Sequence, residues 1–170
     1  INYKPKFVFP ISNRPSNLMQ EVYVAGFPFG YRLSTRIKVT KGIVSSLAGL
    51  GDDFTRVQVD AAIQPGNSGG PIYDVFGNVV AVAVAKLDYK YSIKEFNSIP
   101  ELTNFGIKAS MLRSFLSASN IQTIVDTSKK TPNLSQAVQD ATYYVSCLMT
   151  MARYNEIKSK KVLFNEEQVS

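Results

Sequence analysis

Five residues, Gly66-Asn67-Ser68-Gly69-Gly70, form the part of this chain best suited to covalent chemistry. A serine hydroxyl can attack a carbonyl carbon. Glycines on both sides let the main chain approach that carbonyl closely and turn its amides toward the oxygen on which negative charge develops. The N–H groups of Gly66 and Ser68 lie on either side of the turn that presents the hydroxyl and are the natural donors. Losing one such donor typically costs about 3 to 4 kcal/mol of transition-state stabilisation. Taken alone, the pattern is equally compatible with a glycine-rich hairpin carrying an incidental serine, because short motifs match by chance.

The elements around the motif narrow the choice. Asp60 to Ile63 lead in, and Pro71-Ile72-Tyr73 followed by Gly77-Asn78 lead out as a second extended run and a turn. A strand–loop–strand setting disfavours the nucleophile elbow of α/β-hydrolases, which places a helix directly after the serine. Further out, β-rich runs separated by turn residues predict strands over Glu21–Phe27, Lys38–Leu47, Thr55–Asp60, Pro71–Asp74, Val79–Leu87 and Thr103–Lys108. Pro28 with Gly30, Gly49 with Gly51, and Gly77 with Asn78 supply the constrained or positive-φ positions between them. Val79–Leu87 is almost wholly apolar and is expected at the centre of the fold, covered on both faces. Asp60, ending a strand before Ala61-Ala62, reads as a turn-stabilising acceptor in preference to a pocket residue. Tyr23 and Tyr73 read as barrel residues.

After Lys108 the period changes. Ser110 is expected to cap a helix whose apolar face is Met111, Leu112, Phe115 and Leu116. Thr127–Pro132 reads as a polar linker, and Asn133 or Ser135 as the cap of a further helix through Leu134, Val138 and Ala141. Over Thr142–Met149 the helical spacing continues, but Thr142, Tyr143, Tyr144 and Val145 favour a strand equally. The expected organisation is therefore a β-barrel or sandwich with a docking helix over residues 1–127 and an α/β tail of uncertain structure over 128–170.

Composition sets the outer limits. The chain has 170 residues, 45% of them hydrophobic and 19% charged, which suits one folded domain. No run reaches the length of a membrane-spanning helix, and no targeting segment is apparent. One cysteine, Cys147, excludes an internal disulfide framework and reads as a buried filler. With no histidine, a thiolate metal site lacks partners and a Cys–His catalytic pair is impossible; no cofactor is expected. The net charge of +6 gathers partly at Lys158, Lys160 and Lys161, and without a stacking platform or reading motif it does not point to nucleic acid.

The segment VDAAIQPGNSGGPIYDVFGNVVAV resembles the nucleophile loop of trypsin-fold serine proteases, and the HtrA (Deg) group in particular. VYVAGFPFG (Val22 to Gly30) is similar to that group's strand leading into a Gly-x-Pro-x-Gly turn, VTKGIVSSL (Val39 to Leu47) to its next strand, and NFGIKA (Asn104 to Ala109) to its last. The order holds over residues 20 to 118. The resemblance implies an all-β, six-stranded antiparallel barrel, the second barrel of the trypsin-like fold, with Ser68 as nucleophile and Gly66, Asn67 and Ser68 forming the oxyanion turn. It further implies that Ile63 and Ala85 lie at a specificity pocket for small or medium apolar side chains, and that extended polypeptide substrate pairs with a strand edge near Val84. Asn67 stands where digestive trypsin-like enzymes carry an aspartate that pairs with a new N-terminus, so activation by Ile1 is not expected. A cell-envelope or secreted location is favoured by the resemblance alone.

Two departures matter. In trypsin-like enzymes the triad runs His, Asp, Ser, with the first two on the preceding barrel, and this chain has no histidine. About 20 residues before the first strand cannot hold another six-stranded barrel. The chain is thus expected to be a fragment of a longer enzyme, one half of a two-chain enzyme, or a protein without the base, and alone to be nearly inactive. About 40 residues after Thr127 are too few for the PDZ domain common in the HtrA group. The competing expectation is an inactive pseudoprotease that binds a protein or peptide.

Overall fold

The computed structural model describes residues 4–29, 35–86, 102–124, 126, 130–145 and 149–159. Six strands, β1 (Glu21–Gly26), β2 (Lys38–Ser46), β3 (Arg56–Val59), β4 (Pro71–Asp74), β5 (Val79–Lys86) and β6 (Asn104–Lys108), close into a barrel in the order β1-β2-β3-β6-β5-β4. Every neighbouring pair is antiparallel. All six predicted strands are present, within one residue of their expected bounds at either end; Leu87, the expected end of β5, lies outside the described residues.

Alternation along the strands builds two cores. Val22 and Val24 of β1 face inward with Val44, Val57, Val59, Ile72 and Val80, filling the barrel. The intervening Tyr23 and Ala25 face outward with Tyr73 and Val79 into a second cluster, completed by Phe9 and by Ala137 and Val138. Strands with successive residues on opposite faces can serve two cores only if both faces are covered. That is why β4, with only Pro71 not fully buried, shows no polar face. In β5, Val79, Val80, Ala81 and Ala83 are all buried, as its apolar sequence predicts.

The outer cluster is held by elements from both ends of the chain. Val79 donates to the Pro10 carbonyl at 2.8 Å and accepts from the Ser12 amide at 2.9 Å. The Phe9 ring stacks on Tyr73 at 5.2 Å, and Tyr73 on Tyr23 at 5.7 Å. This contribution of the first residues carries no sequence motif and is not among the expectations above.

Helix α1 (Ala109–Ala118) follows β6 without a loop. Its N-cap is Lys108, in extended geometry, with no side-chain cap bond. Ser110 is therefore inside the first turn instead of capping it, because the barrel strand runs directly into the helix. Helix α2 (Leu134–Ala141) begins at Asn133, whose side chain accepts from the Gln136 amide; of the two expected caps, Asn133 performs the role and Ser135 lies in the first turn. Residues 142–145 form neither helix nor strand, and helix α3 (Met151–Ser159) follows. Among the described residues the tail is thus helical, without the strand that its β-branched and aromatic residues allowed. Cys147, and the lysines at 160 and 161, lie outside the described residues. No described helix is long and apolar enough to cross a membrane.

Candidate functional site: a serine on a glycine turn

Residues 64–70 form a tight double turn between β3 and β4. Asn67 N–H donates to the Gln64 carbonyl and Gly70 N–H to the Asn67 carbonyl, each at 2.9 Å. Gly69 N–H donates to the Ala83 carbonyl at 2.7 Å, and Ala83 N–H to Gly70 at 2.9 Å, fixing the loop to β5. Glycine is required at two points. Gly66 has φ +103°, and a Cβ there would lie 2.6 Å from the Phe27 carbonyl oxygen; Gly69 has φ +83°.

Ser68 is exposed at the apex, and its Oγ donates to the Val84 carbonyl at 2.6 Å. Among the described residues, the amides of Gly66 and Ser68 make no hydrogen bond to a main-chain carbonyl, unlike those of Asn67, Gly69 and Gly70. Asn67 is 3% exposed, its Oδ1 has no hydrogen-bond partner, and it lies against Gly26, where a Cβ would come within 2.5 Å of it. The side chain of the middle turn residue is thus tucked under the loop, while that of Ser68 is exposed.

Beside the serine lies a cleft of about 800 Å³. Its walls are Ala25 to Phe29, the loop Pro65 to Pro71, and Ala141 to Val145. Among the described residues, no carboxylate, lysine or arginine lines it, and the titratable side chains there are the tyrosines Tyr143 and Tyr144. No cluster of three or more His, Cys, Asp or Glu side chains occurs among the described residues.

Gly66, Asn67 and Ser68 share this site. Val84 adjoins it through its carbonyl. Ile63 is 2% exposed and packs inside the barrel with Val22 and Val59, without lining the cleft. Ala85 belongs to β5 one residue beyond Val84. Asp60 is structural: its carboxylate accepts from the Ile43 amide at 2.6 Å, and a Cβ at Gly42 would lie 2.2 Å from the same oxygen. Tyr23 and Tyr73 are barrel residues, Tyr73 being 1% exposed with its phenol pushed above the ordinary value by burial. Sequence reasoning missed Phe27, Phe29, Tyr143 and Tyr144 as cleft residues. The first pair lay in a segment read for its turn glycines, and the second in one whose secondary structure was undecided.

The profile of the trypsin-like peptidase domain family matches residues 3–82. Protein y4bJ of Sinorhizobium fredii, itself uncharacterized, is 33% identical over 135 residues, covering 78% of this chain and 21% of that protein. A Bartonella henselae protein named as a DegP-like periplasmic serine endoprotease is 40% identical over 92 residues, covering 50% of this chain and 17% of its own length. The crystal structure of a serine endoprotease from Yersinia pestis superposes with a TM-score of 0.49 at 28% identity, over 65% of this chain and 35% of that one. The chain therefore spans 21% and 17% of the length of these two curated relatives.

Proposed function

We propose that the chain is a trypsin-fold, HtrA-like protease domain in which Ser68 is the nucleophile of a serine endopeptidase and the Gly66 and Ser68 amides form its oxyanion hole, a reading supported by the family match and the DegP-like relative. The observation that carries this reading is the exposed Ser68 hydroxyl, on a turn where these two amides, unlike their neighbours, hold no main-chain acceptor among the described residues. Such unspent donors suit a developing oxyanion, since they need no rearrangement at the moment of attack. Asn67 braces the turn from below.

The same reading assigns the general base to a region outside these 170 residues, which contain no histidine. Attack begins when that base draws the Ser68 proton away from the Val84 carbonyl, which is then free to accept from the main chain of an extended substrate. Without the base, the hydroxyl loses an acceleration of about a hundred- to ten-thousand-fold. Ile63 and Ala85 remain proposed specificity residues.

A fluorophosphonate probe applied to the full-length protein should label Ser68, and Ser68→Ala should abolish the label. A folded full-length protein that fails to react refutes the catalytic reading. The second reading, a pseudoprotease that binds polypeptide without cleaving it, is favoured by one observation, the 2.6 Å bond that parks the hydroxyl on Val84 in a cleft lined, among the described residues, by no carboxylate or amine. It predicts peptide binding without labelling.

A further inference from the structure

The cleft beside Ser68 has walls from distant parts of the chain. One is the barrel, from the end of β1 to Phe29 and from Pro65 to Pro71; the other is Ala141 to Val145, where the chain leaves α2. This second wall is anchored. Ala137 and Val138 of α2 are buried against Phe9, Tyr73 and Val79. Ahead of the helix, Thr131 gives both its amide, at 3.0 Å, and its hydroxyl, at 2.7 Å, to the Phe76 carbonyl.

Aromatic rings stand on both walls. Tyr144 meets Phe27 edge-on at 6.0 Å, yet Tyr143 and Tyr144 are each 42% exposed and Phe29 is 49% exposed, so much of this surface is open. Each wall also holds one buried polar atom without a hydrogen-bond partner, Asn67 Oδ1 and Thr142 Oγ1.

We propose that Ala141–Val145 is a specificity wall, which with Phe27 and Phe29 holds an aromatic or large apolar side chain of a polypeptide lying next to the bond presented to Ser68. This rests on the reading of Ser68 as a nucleophile acting on polypeptide. A peptide fits what the cleft offers: its main chain brings donors and acceptors, and its side chain enters between rings. Among the described residues no lysine or arginine lines the cleft, so it offers a polyanion no described cation. The volume lies within the range of about 300 to 1,000 Å³ that ligand sites occupy.

The test uses the full-length protein carrying Ser68→Ala, so that binding is read without chemistry. Fluorescent decapeptides in which one phenylalanine is walked along an alanine-rich sequence are titrated by anisotropy. One register is expected to bind about tenfold more tightly than the phenylalanine-free peptide. Adding Tyr144→Ala should erase that preference and Tyr144→Phe should keep it. Should Tyr144→Ala fail to fold, Phe29→Ala tests the opposite wall with the same expected loss. The proposal is overturned if the preference survives these alanine variants, or if no register exceeds the phenylalanine-free peptide, as it would be were another part of the protein to fill the cleft. A protein that shows the preference but resists fluorophosphonate would sink the nucleophile reading and leave the wall standing.

Discussion

Replacing Gly66 and Gly69 separately by alanine distinguishes a turn that merely bends from one built to aim its amides. Both glycines have positive φ, +103° and +83°, so either substitution meets backbone strain of about 1 to 3 kcal/mol. Their surroundings differ. At Gly69 a new Cβ meets nothing within 4 Å, whereas at Gly66 it lies 2.6 Å from the Phe27 carbonyl oxygen and 3.2 Å from the Phe29 nitrogen. These are main-chain atoms, and Phe29 N–H is itself bonded to the Pro65 carbonyl at 2.7 Å, so neither side yields easily. Overpacking of this kind adds about 1 to 3 kcal/mol. Gly69→Ala should therefore cost about 1 to 2 kcal/mol in urea unfolding and Gly66→Ala about 4 kcal/mol. In the full-length protein, Gly66→Ala should also slow fluorophosphonate labelling of Ser68 by about a hundredfold, the cost of a misplaced oxyanion donor. Equal destabilisation by the two substitutions, or undiminished labelling in a folded Gly66→Ala protein, would refute the reasoning.

The remaining expectations concern the scaffold. Asp74, 4% exposed, accepts from the Phe76 and Asn78 amides at 2.9 Å and from Asn78 Nδ2 at 3.3 Å, so Asp74→Ala should lower stability by about 3 kcal/mol in urea titration. Burial, with a smaller effect of Tyr23, holds the Tyr73 phenol above its ordinary value of 10.0. A raised value in the folded state favours the protonated form, so this contribution is whole below about pH 10 and lost as the pH rises further. Urea midpoints should fall between pH 9 and pH 11, and fall less in Tyr73→Phe; an equal fall in that variant would exclude Tyr73 as the cause. Asn133→Ala removes the α2 cap and should cost about 1 kcal/mol, measured by the thermal midpoint.

The barrel was legible because its strands alternate between two cores and its turns fall on Gly49, Gly51, Gly77 and Asn78, residues that only turns need. The serine loop was legible for a related reason, since glycines at positive φ leave a visible trace. The start of α1 was misread because a capping side chain was sought at Ser110, whereas the helix grows out of β6 with Lys108 in extended geometry and needs none. Residues 142–145 defeated periodicity because they obey none: they are placed by the anchoring of α2 before them. The second cleft wall is a product of tertiary packing, and no local spacing announces Tyr143 or Tyr144 as neighbours of Ser68.

The stacked rings of Phe9, Tyr73 and Tyr23, with α2 leaning on the same cluster, make remote parts of the chain mechanically interdependent. Trimming the first dozen residues would withdraw Phe9 and the Pro10 and Ser12 bonds to Val79, and with them part of the seat on which α2 rests. A change nowhere near the hydroxyl would then register at the mouth of the cleft, as a displaced Ala141–Val145 wall before any loss of the barrel itself.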